Sequence, residues 1–143
     1  GMTMDKKVRV LLVDDEPSIV KMVSKRLEVE GFEVLVAIDG QEALKKVQAE
    51  APDVVILDLM LPKLNGYEVC MMLKEDTRYQ KIPVVMFTAK AQEQDEKLGL
   101  ACGADAYIRK PFKAQELLDQ IRALAHKPLP MNSTPPPHAV SDQ

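Results

Sequence analysis

One stretch near the start of the chain decides the fold, and it reads Val8-Arg9-Val10-Leu11-Leu12-Val13-Asp14-Asp15-Glu16. Its first part is a short apolar run, which indicates a strand buried on both faces, as in a parallel sheet. The acidic residues end that strand. An amphipathic helix is predicted next, over residues 18–30, with Gly31 at its end. The stretch is thus the first half of a strand–helix unit.

The same unit recurs along the chain. Further strands are predicted at residues 32–37, 53–57, 83–87 and 106–109, and further helices at residues 40–50, 67–75, 92–102 and 113–126. Parallel neighbouring strands need crossover helices between them. Five units therefore predict an α/β fold in which a doubly wound, five-stranded parallel sheet carries helices on both faces.

Length and composition predict a single domain. The chain has 143 residues, of which 46% are hydrophobic and 29% charged, as is ordinary for a globular protein. We expect residues 1–6 to be a tag scar and leader, and residues 7–127 to form the domain. Prolines gather among Asn, Ser and Thr in residues 128–143, which predicts a disordered tail or truncated linker.

Charge and cysteine content narrow the setting. The net charge of -3 provides no basic field, so we expect no direct binding of nucleic acid by this domain. No apolar run is long enough to span a bilayer, so we expect no membrane partner. Cys70 and Cys102 fit buried thiols better than a disulfide, which predicts a reducing, cytoplasmic location.

Polar side chains follow four of the predicted strands. Asp14 and Asp15 follow the first strand, Asp58 the third, Thr88 the fourth and Lys110 the fifth. Ligands of open α/β sheets bind beyond the carboxyl ends of the strands. We therefore expect these side chains to converge on one edge of the sheet.

Carboxylates gathered in this way need a cation. Two of them about 5 Å apart repel by roughly 3 kcal/mol at an effective dielectric constant of 20. Mg²⁺ prefers a few carboxylate oxygens and keeps several waters. We predict a magnesium site formed by Asp14, Asp15 and Asp58, to which the backbone carbonyl of Met60 could add a ligand.

Each of these residues has an ordinary explanation when it is taken singly. The Asp14-Asp15 pair could be acidic residues at a helix N-terminus, which the helix dipole stabilises. Asp58 could be a turn residue, Thr88 a strand end and Lys110 a solvated surface charge. Only the whole set, in this order and on strand ends, argues for a functional site.

Five motifs, spread over about residues 8–126, carry a resemblance to a known family. They are Val10–Glu16, Val55–Leu59, Leu61–Gly66, Pro83–Ala89 and Gly103–Phe112. Together they resemble the receiver domains of response regulators in two-component signalling, of the chemotaxis-regulator type. The resemblance implies a flavodoxin-like (βα)5 fold with strand order 2-1-3-4-5.

The resemblance also implies a role for each polar residue. Asp14 and Asp15 help to hold Mg²⁺, and Asp58 accepts a phosphoryl group. Thr88 donates a hydrogen bond to that group, and Lys110 pairs with one of its oxygens. The chain would then be a signalling phosphoacceptor with slow self-dephosphorylation only, and not an enzyme.

Two further features are implied near the fifth strand. Tyr107 would be the aromatic residue that changes rotamer on activation, although without the resemblance it is better explained as a core aromatic with its hydroxyl in water. The Lys110-Pro111 peptide is expected to be cis.

The implied phosphoryl donor is a phosphohistidine on a sensor histidine kinase or a histidine phosphotransfer protein. The downstream protein target or output domain is not encoded here. Ala106 stands where DNA-binding regulators that dimerise through this region have an acidic residue, which leaves at most a weak homodimer.

Two alternatives remain open. A haloacid-dehalogenase-like phosphatase also uses a strand-end aspartate and Mg²⁺, but that family has a second aspartate two positions on, where this chain has Met60. A receiver-like module that binds a partner without being phosphorylated is the other alternative, and the full acidic set argues against it. The chain could equally be a stand-alone regulator or a fragment of a longer regulator or hybrid kinase.

Overall fold

The computed structural model describes residues 7–88 and 102–125, except the side chain of Thr88. Five strands and four helices lie within these ranges. They are β1 (Arg9–Val13), α1 (Pro17–Val29), β2 (Glu33–Ala37), α2 (Gly40–Glu50), β3 (Val54–Asp58), α3 (Gly66–Lys74), β4 (Val84–Thr88), β5 (Ala106–Arg109) and the C-terminal helix (Ala114–Ala125). The predicted leader at residues 1–6, residues 92–101 of the predicted fourth helix and the predicted tail at residues 128–143 lie outside the described ranges.

The five strands form one parallel sheet in the order β2-β1-β3-β4-β5. This confirms the predicted doubly wound sheet and its strand order. β1 and β3 are central, and Val10–Val13 and Val54–Leu57 have no exposed surface. Such strands are continuous apolar runs because helices cover both of their faces.

Side chains of the sheet alternate between two cores. Leu11 and Leu57 point into the core formed with α2 and α3. Leu12, Ile56 and Phe87 point into the core formed with α1 and the C-terminal helix. Because both faces of the central strands are covered, the residues at the carboxyl ends of these strands are held in a defined position. Among the described residues, no helix is long and apolar enough to cross a membrane.

Local contacts explain where α3 begins. The Asn65 side chain accepts a hydrogen bond from the Glu68 backbone N–H at 3.0 Å, and the Glu68 carboxylate accepts one from the Asn65 N–H at 3.1 Å. This reciprocal capping box fixes Asn65 as the residue before the helix. The helix therefore begins at Gly66, one residue earlier than predicted.

Gly66 also sets how closely α3 approaches the end of β3. A Cβ atom at this position would lie 2.5 Å from the carbonyl oxygen of Asp58 and 2.8 Å from the Cα of Leu59. Real Cβ atoms do not come that close to backbone atoms. The absence of a side chain at Gly66 is therefore what lets the helix start directly against the strand end that carries Asp58.

Candidate functional site

Three carboxylates meet at the carboxyl ends of β1 and β3. The strands are paired with Val13 opposite Leu57, so the next residues, Asp14 and Asp58, emerge side by side. Carboxylate oxygens of Asp14, Asp15 and Asp58 all lie within 4.8 Å of one another. Asp14 has no exposed surface, Asp58 is 6% exposed, and Asp15 is exposed. The structure therefore brings together the three aspartates that the sequence singled out.

Backbone hydrogen bonds orient the two buried carboxylates. Oδ1 of Asp14 accepts from the Glu16 N–H at 2.9 Å, and Oδ1 of Asp58 accepts from the Met60 N–H at 3.2 Å. The Asp14 N–H itself donates to the carbonyl of Ala37 in β2 at 3.1 Å. Each carboxylate thus has one oxygen bound to its own loop and leaves the other, Oδ2, for the pocket.

Lys110 supplies the positive charge of the pocket. Its Nζ lies 3.0 Å from Oδ2 of Asp14 and 3.7 Å from Oδ2 of Asp58. The ammonium group also lies 4.6 Å from the centre of the Phe87 ring, a cation–π contact. The peptide between Lys110 and Pro111 is cis. The cation is therefore held between two carboxylates and an aromatic face.

One cation does not balance three carboxylates. Burial of the Asp58 carboxyl raises its pKa to about 6, and the neighbouring Asp14 carboxylate acts in the same direction. The Lys110 ammonium and the Met60 N–H oppose that shift but do not cancel it. The pocket consequently has an excess of negative charge at neutral pH, which a further cation would relieve.

The donor chemistry fits a hard divalent cation. The three residues of this cluster are all carboxylates, two of them buried, and oxygen is the ligand atom that Mg²⁺ prefers. A soft or borderline metal would instead select sulfur or imidazole. The Met60 side chain is 70% exposed.

The other predicted site residues lie on the neighbouring strands. Thr88 is the last residue of β4 and pairs with Arg109 of β5; its side chain is outside the described part. Tyr107 lies in β5 opposite Met86 and packs, half-buried, against the core shared with α2 and α3. Thr88 therefore lies on the strand next to β3, and Tyr107 lies one strand further out, on the side of the pocket that Lys110 also occupies.

Phe87 is the site residue that the sequence reasoning missed. It pairs with Asp58 in the sheet, it contacts the Lys110 ammonium, and its ring meets that of Phe112 edge-on with centroids 4.7 Å apart. From the sequence, Phe87 was predicted only as an apolar residue of the fourth strand. Only the register of β3 and β4 shows that it lies beside the aspartate.

The fold and the site agree with a match to known proteins. Residues 10–122 match the family described as the response regulator receiver domain. The chain belongs to this family. It is a receiver domain of a response regulator, and response regulators are signalling proteins of two-component systems.

Individual relatives and solved structures are similar to this receiver over most of its length. The alkaline phosphatase synthesis transcriptional regulatory protein PhoP of Bacillus subtilis is 47% identical over 126 residues, 87% of this chain and 50% of PhoP. The DNA-binding response regulator MtrA of Mycolicibacterium smegmatis is 48% identical over 115 residues, 80% of this chain and 49% of MtrA. The chemotaxis response regulator CheY4 of Vibrio cholerae has a TM-score of 0.78 and 35% identity, covering 83% of this chain and 99% of CheY4.

These relatives correct one prediction about partners. The exclusion of nucleic acid was wrong, because MtrA is named a DNA-binding response regulator and PhoP a transcriptional regulatory protein. The receiver spans about half the length of the curated relatives it matches. The net charge on which the exclusion rested describes only that half, and it carries no information about the remainder of such proteins.

Proposed function

We propose that this receiver accepts a phosphoryl group on Asp58 from a phosphohistidine of a sensor histidine kinase or histidine phosphotransfer protein. The observation that carries the proposal is the position of the Asp58 carboxylate. It lies within 4.8 Å of two other carboxylates and 3.7 Å from the Lys110 Nζ. In the transfer, an Asp58 oxygen bonds to phosphorus while the bond from phosphorus to the histidine nitrogen breaks, and the nitrogen keeps the electron pair.

Magnesium is the cofactor of the proposal. Asp14, Asp15 and Asp58 would hold the ion, and the backbone carbonyl of Met60 would add a ligand. When bound, Mg²⁺ supplies positive charge that opposes the negative phosphoryl oxygens. The carboxylate cluster supports this proposal, because it brings three oxygen donors together at one edge of the sheet.

The chain's own residues do the positioning. The β3 backbone and the Met60 N–H fix the direction of the Asp58 carboxylate, so the nucleophile needs little reorientation before attack. Lys110, held by Asp14 at 3.0 Å, would pair with one phosphoryl oxygen. Transfer of this kind depends mainly on such positioning and on neutralisation of charge.

The switch that follows is part of the same proposal. The Thr88 hydroxyl would donate a hydrogen bond to the phosphoryl group, and Tyr107 would change rotamer in response. Support comes from the sheet, in which β4 carries Thr88 at its end and pairs directly with β5, the strand of Tyr107. A partner that prefers the second arrangement would shift the population further.

The names of the relatives indicate the kind of output. PhoP is a transcriptional regulatory protein and MtrA is DNA-binding. We extend this to the present receiver as control of a DNA-binding output, on the same polypeptide or a separate one. The proposal also keeps residues 7–127 as one domain, places it in the cytoplasm, and limits its own chemistry to slow loss of the phosphoryl group from Asp58.

A small phosphodonor such as acetyl phosphate tests the proposal. We expect intact mass to show one added phosphoryl group when Mg²⁺ is present, and none when the metal is chelated. Asp58→Asn should abolish labelling. Asp119→Asn is the matched control, because it makes the same chemical change on an exposed part of the C-terminal helix and should label normally.

Four results would contradict the proposal. Labelling that persists in Asp58→Asn, or that does not depend on Mg²⁺, would remove Asp58 from its assigned role. Hydrolysis of many phosphate esters per chain would instead favour the haloacid-dehalogenase-like phosphatase. The absence of any labelling in the native chain with Mg²⁺ would favour the unphosphorylated interaction module.

A further inference from the structure

Two cysteines lie close together away from the aspartate pocket, one in α3 and the other just before β5. Cys70 of α3 has no exposed surface, and Cys102 is 6% exposed. The Cys70 thiol donates a hydrogen bond to the Cys102 carbonyl oxygen at 3.5 Å, so its sulfur lies against Cys102. They are the two cysteines of the chain, and they are not joined in a disulfide.

Neighbouring ionic and hydrogen-bonding contacts keep the two cysteines close together. Lys74, one helical turn after Cys70, pairs its Nζ with Oδ2 of Asp105 at 2.9 Å. It also donates to the carbonyl of Ile82 at 2.8 Å. Asp105 in turn accepts from the Val84 N–H at 2.8 Å. These contacts attach α3 to both β4 and the start of β5. They therefore fix the helix that carries Cys70 beside the segment that carries Cys102.

The two thiols are not equivalent. The hydrogen bond from Cys70 lowers the pKa of the Cys102 thiol to about 7 against the effect of burial, and the Ala104 N–H assists. The same hydrogen bond, together with burial, raises the pKa of Cys70 well above its ordinary value. Contact with Cys70 thus favours ionisation of the Cys102 thiol, and Cys102 is also the one of the two with some exposed surface.

We propose that Cys70 and Cys102 form a redox-responsive dithiol, which a small peroxide oxidises to an intramolecular disulfide linking α3 to the residues before β5. The thiols are buried, so the class of oxidant is limited to molecules of about the size of hydrogen peroxide. The inference does not depend on phosphoryl transfer at Asp58, and its test uses no phosphodonor.

The disulfide would form in two steps. The Cys102 sulfur bonds to one peroxide oxygen while the O–O bond breaks, which gives a sulfenic acid and hydroxide. The Cys70 sulfur then attacks the Cys102 sulfur, the S–O bond breaks, and the departing oxygen leaves as water with the Cys70 proton. In total the two thiols lose two electrons and two protons, and hydrogen peroxide becomes two water molecules.

The test treats the reduced full chain with hydrogen peroxide and then alkylates remaining thiols. We expect intact mass to fall by two hydrogen atoms with no alkylation, and a non-reducing peptide map to show Cys70 linked to Cys102. Dithiothreitol should restore two alkylatable thiols, which distinguishes the disulfide from oxidation of methionine. The native chain gives this result without any substitution.

Single variants test the order of attack. Cys70→Ser should stop at a sulfenic acid on Cys102, which dimedone traps. Cys102→Ser should react at least about tenfold more slowly, because its remaining thiol, on Cys70, has no exposed surface for peroxide to reach. Two alkylatable thiols after peroxide, or disulfides between chains only, would overturn the proposal. Equal peroxide reactivity of the two folded variants would overturn the assignment of Cys102 as the attacking sulfur.

Discussion

Asp58 shares a buried pocket with two other carboxylates. Its burial, together with the charges of these neighbours, raises its pKa to about 6. The protonated form is favoured by folding, so this group stabilises the protein fully below its ordinary pKa of 3.8. That contribution is lost as the pH rises through about 6. A shift of this size corresponds to roughly 3 kcal/mol. In metal-free protein at neutral pH, the ionised carboxylate therefore opposes folding.

Replacement of Asp58 by Asn should stabilise the metal-free protein. At about pH 8 we expect the free energy of unfolding to rise by roughly 1–3 kcal/mol, because the amide carries no charge into the pocket. The gain should shrink as the pH falls below about 6, where the native carboxyl is protonated. Urea unfolding at several pH values measures this, with Asp119→Asn as the control. A gain that grows on acidification would contradict the electrostatic explanation.

Lys110 is expected to control the acidity of Asp58. Its ammonium opposes the rise in the Asp58 pKa, so Lys110→Met should move that pKa above about 6. Carboxyl-detected NMR titration of the metal-free protein measures the shift directly. Lys113→Met, at an exposed position, is the matched control and should leave the pKa of Asp58 unchanged. An unchanged value in Lys110→Met would show that the 3.7 Å ion pair is not formed in solution.

Among the elements, α3 depends on its first residues. The Asn65 side chain caps the helix by accepting from the Glu68 N–H. Asn65→Ala should lower the free energy of unfolding by about 1 kcal/mol, since that N–H loses its acceptor. Asn65→Asp keeps an acceptor oxygen and should unfold as the native chain does. Urea unfolding compares the three proteins, and equal stability of Asn65→Ala and the native chain would argue against the capping box.

The elements could be predicted from the sequence wherever a local pattern decides them. The apolar runs of β1 and β3 are unbroken because both faces are buried, and their bounds were predicted to within one residue. Contacts between distant segments had no such pattern. The approach of Gly66 to the Asp58 carbonyl, the ring of Phe87 beside Lys110 and the pairing of Cys70 with Cys102 all depend on strand register and helix placement.

The candidate site was predictable for a related reason. In a parallel sheet the carboxyl ends of the strands share one edge, so a polar residue that follows an apolar run can be assigned to that edge. Asp14, Asp58 and Lys110 were found in this way. The unequal distances from Lys110 to the two aspartates, and the burial that raises the Asp58 pKa, come from packing and could not be read from residue order.

For the whole molecule, the proposed metal links the pocket to global stability. A ligand that binds only the folded state at about 100 times its Kd stabilises it by about 2.7 kcal/mol. We therefore expect saturating Mg²⁺ to raise the melting temperature by roughly 5–10 °C. Potassium chloride at matched ionic strength controls for screening. Asp14→Asn and Asp58→Asn should lose most of the rise, while Asp119→Asn should keep it.

An equal rise in all four proteins would place the magnesium effect elsewhere on the surface. No rise in the native chain would remove the metal from the proposed function. Calorimetric scans with and without Mg²⁺ distinguish these outcomes, and the free energies at a common temperature allow the variants to be compared.

The position of Lys110 has a consequence for how such a protein exists in a cell. Because the Lys110 ammonium already lies between the Asp14 and Asp58 carboxylates, the pocket has a counter-ion before any metal binds. Under the proposed function, a receiver kept without magnesium would then stay folded but idle, and adding the ion would make it competent without refolding.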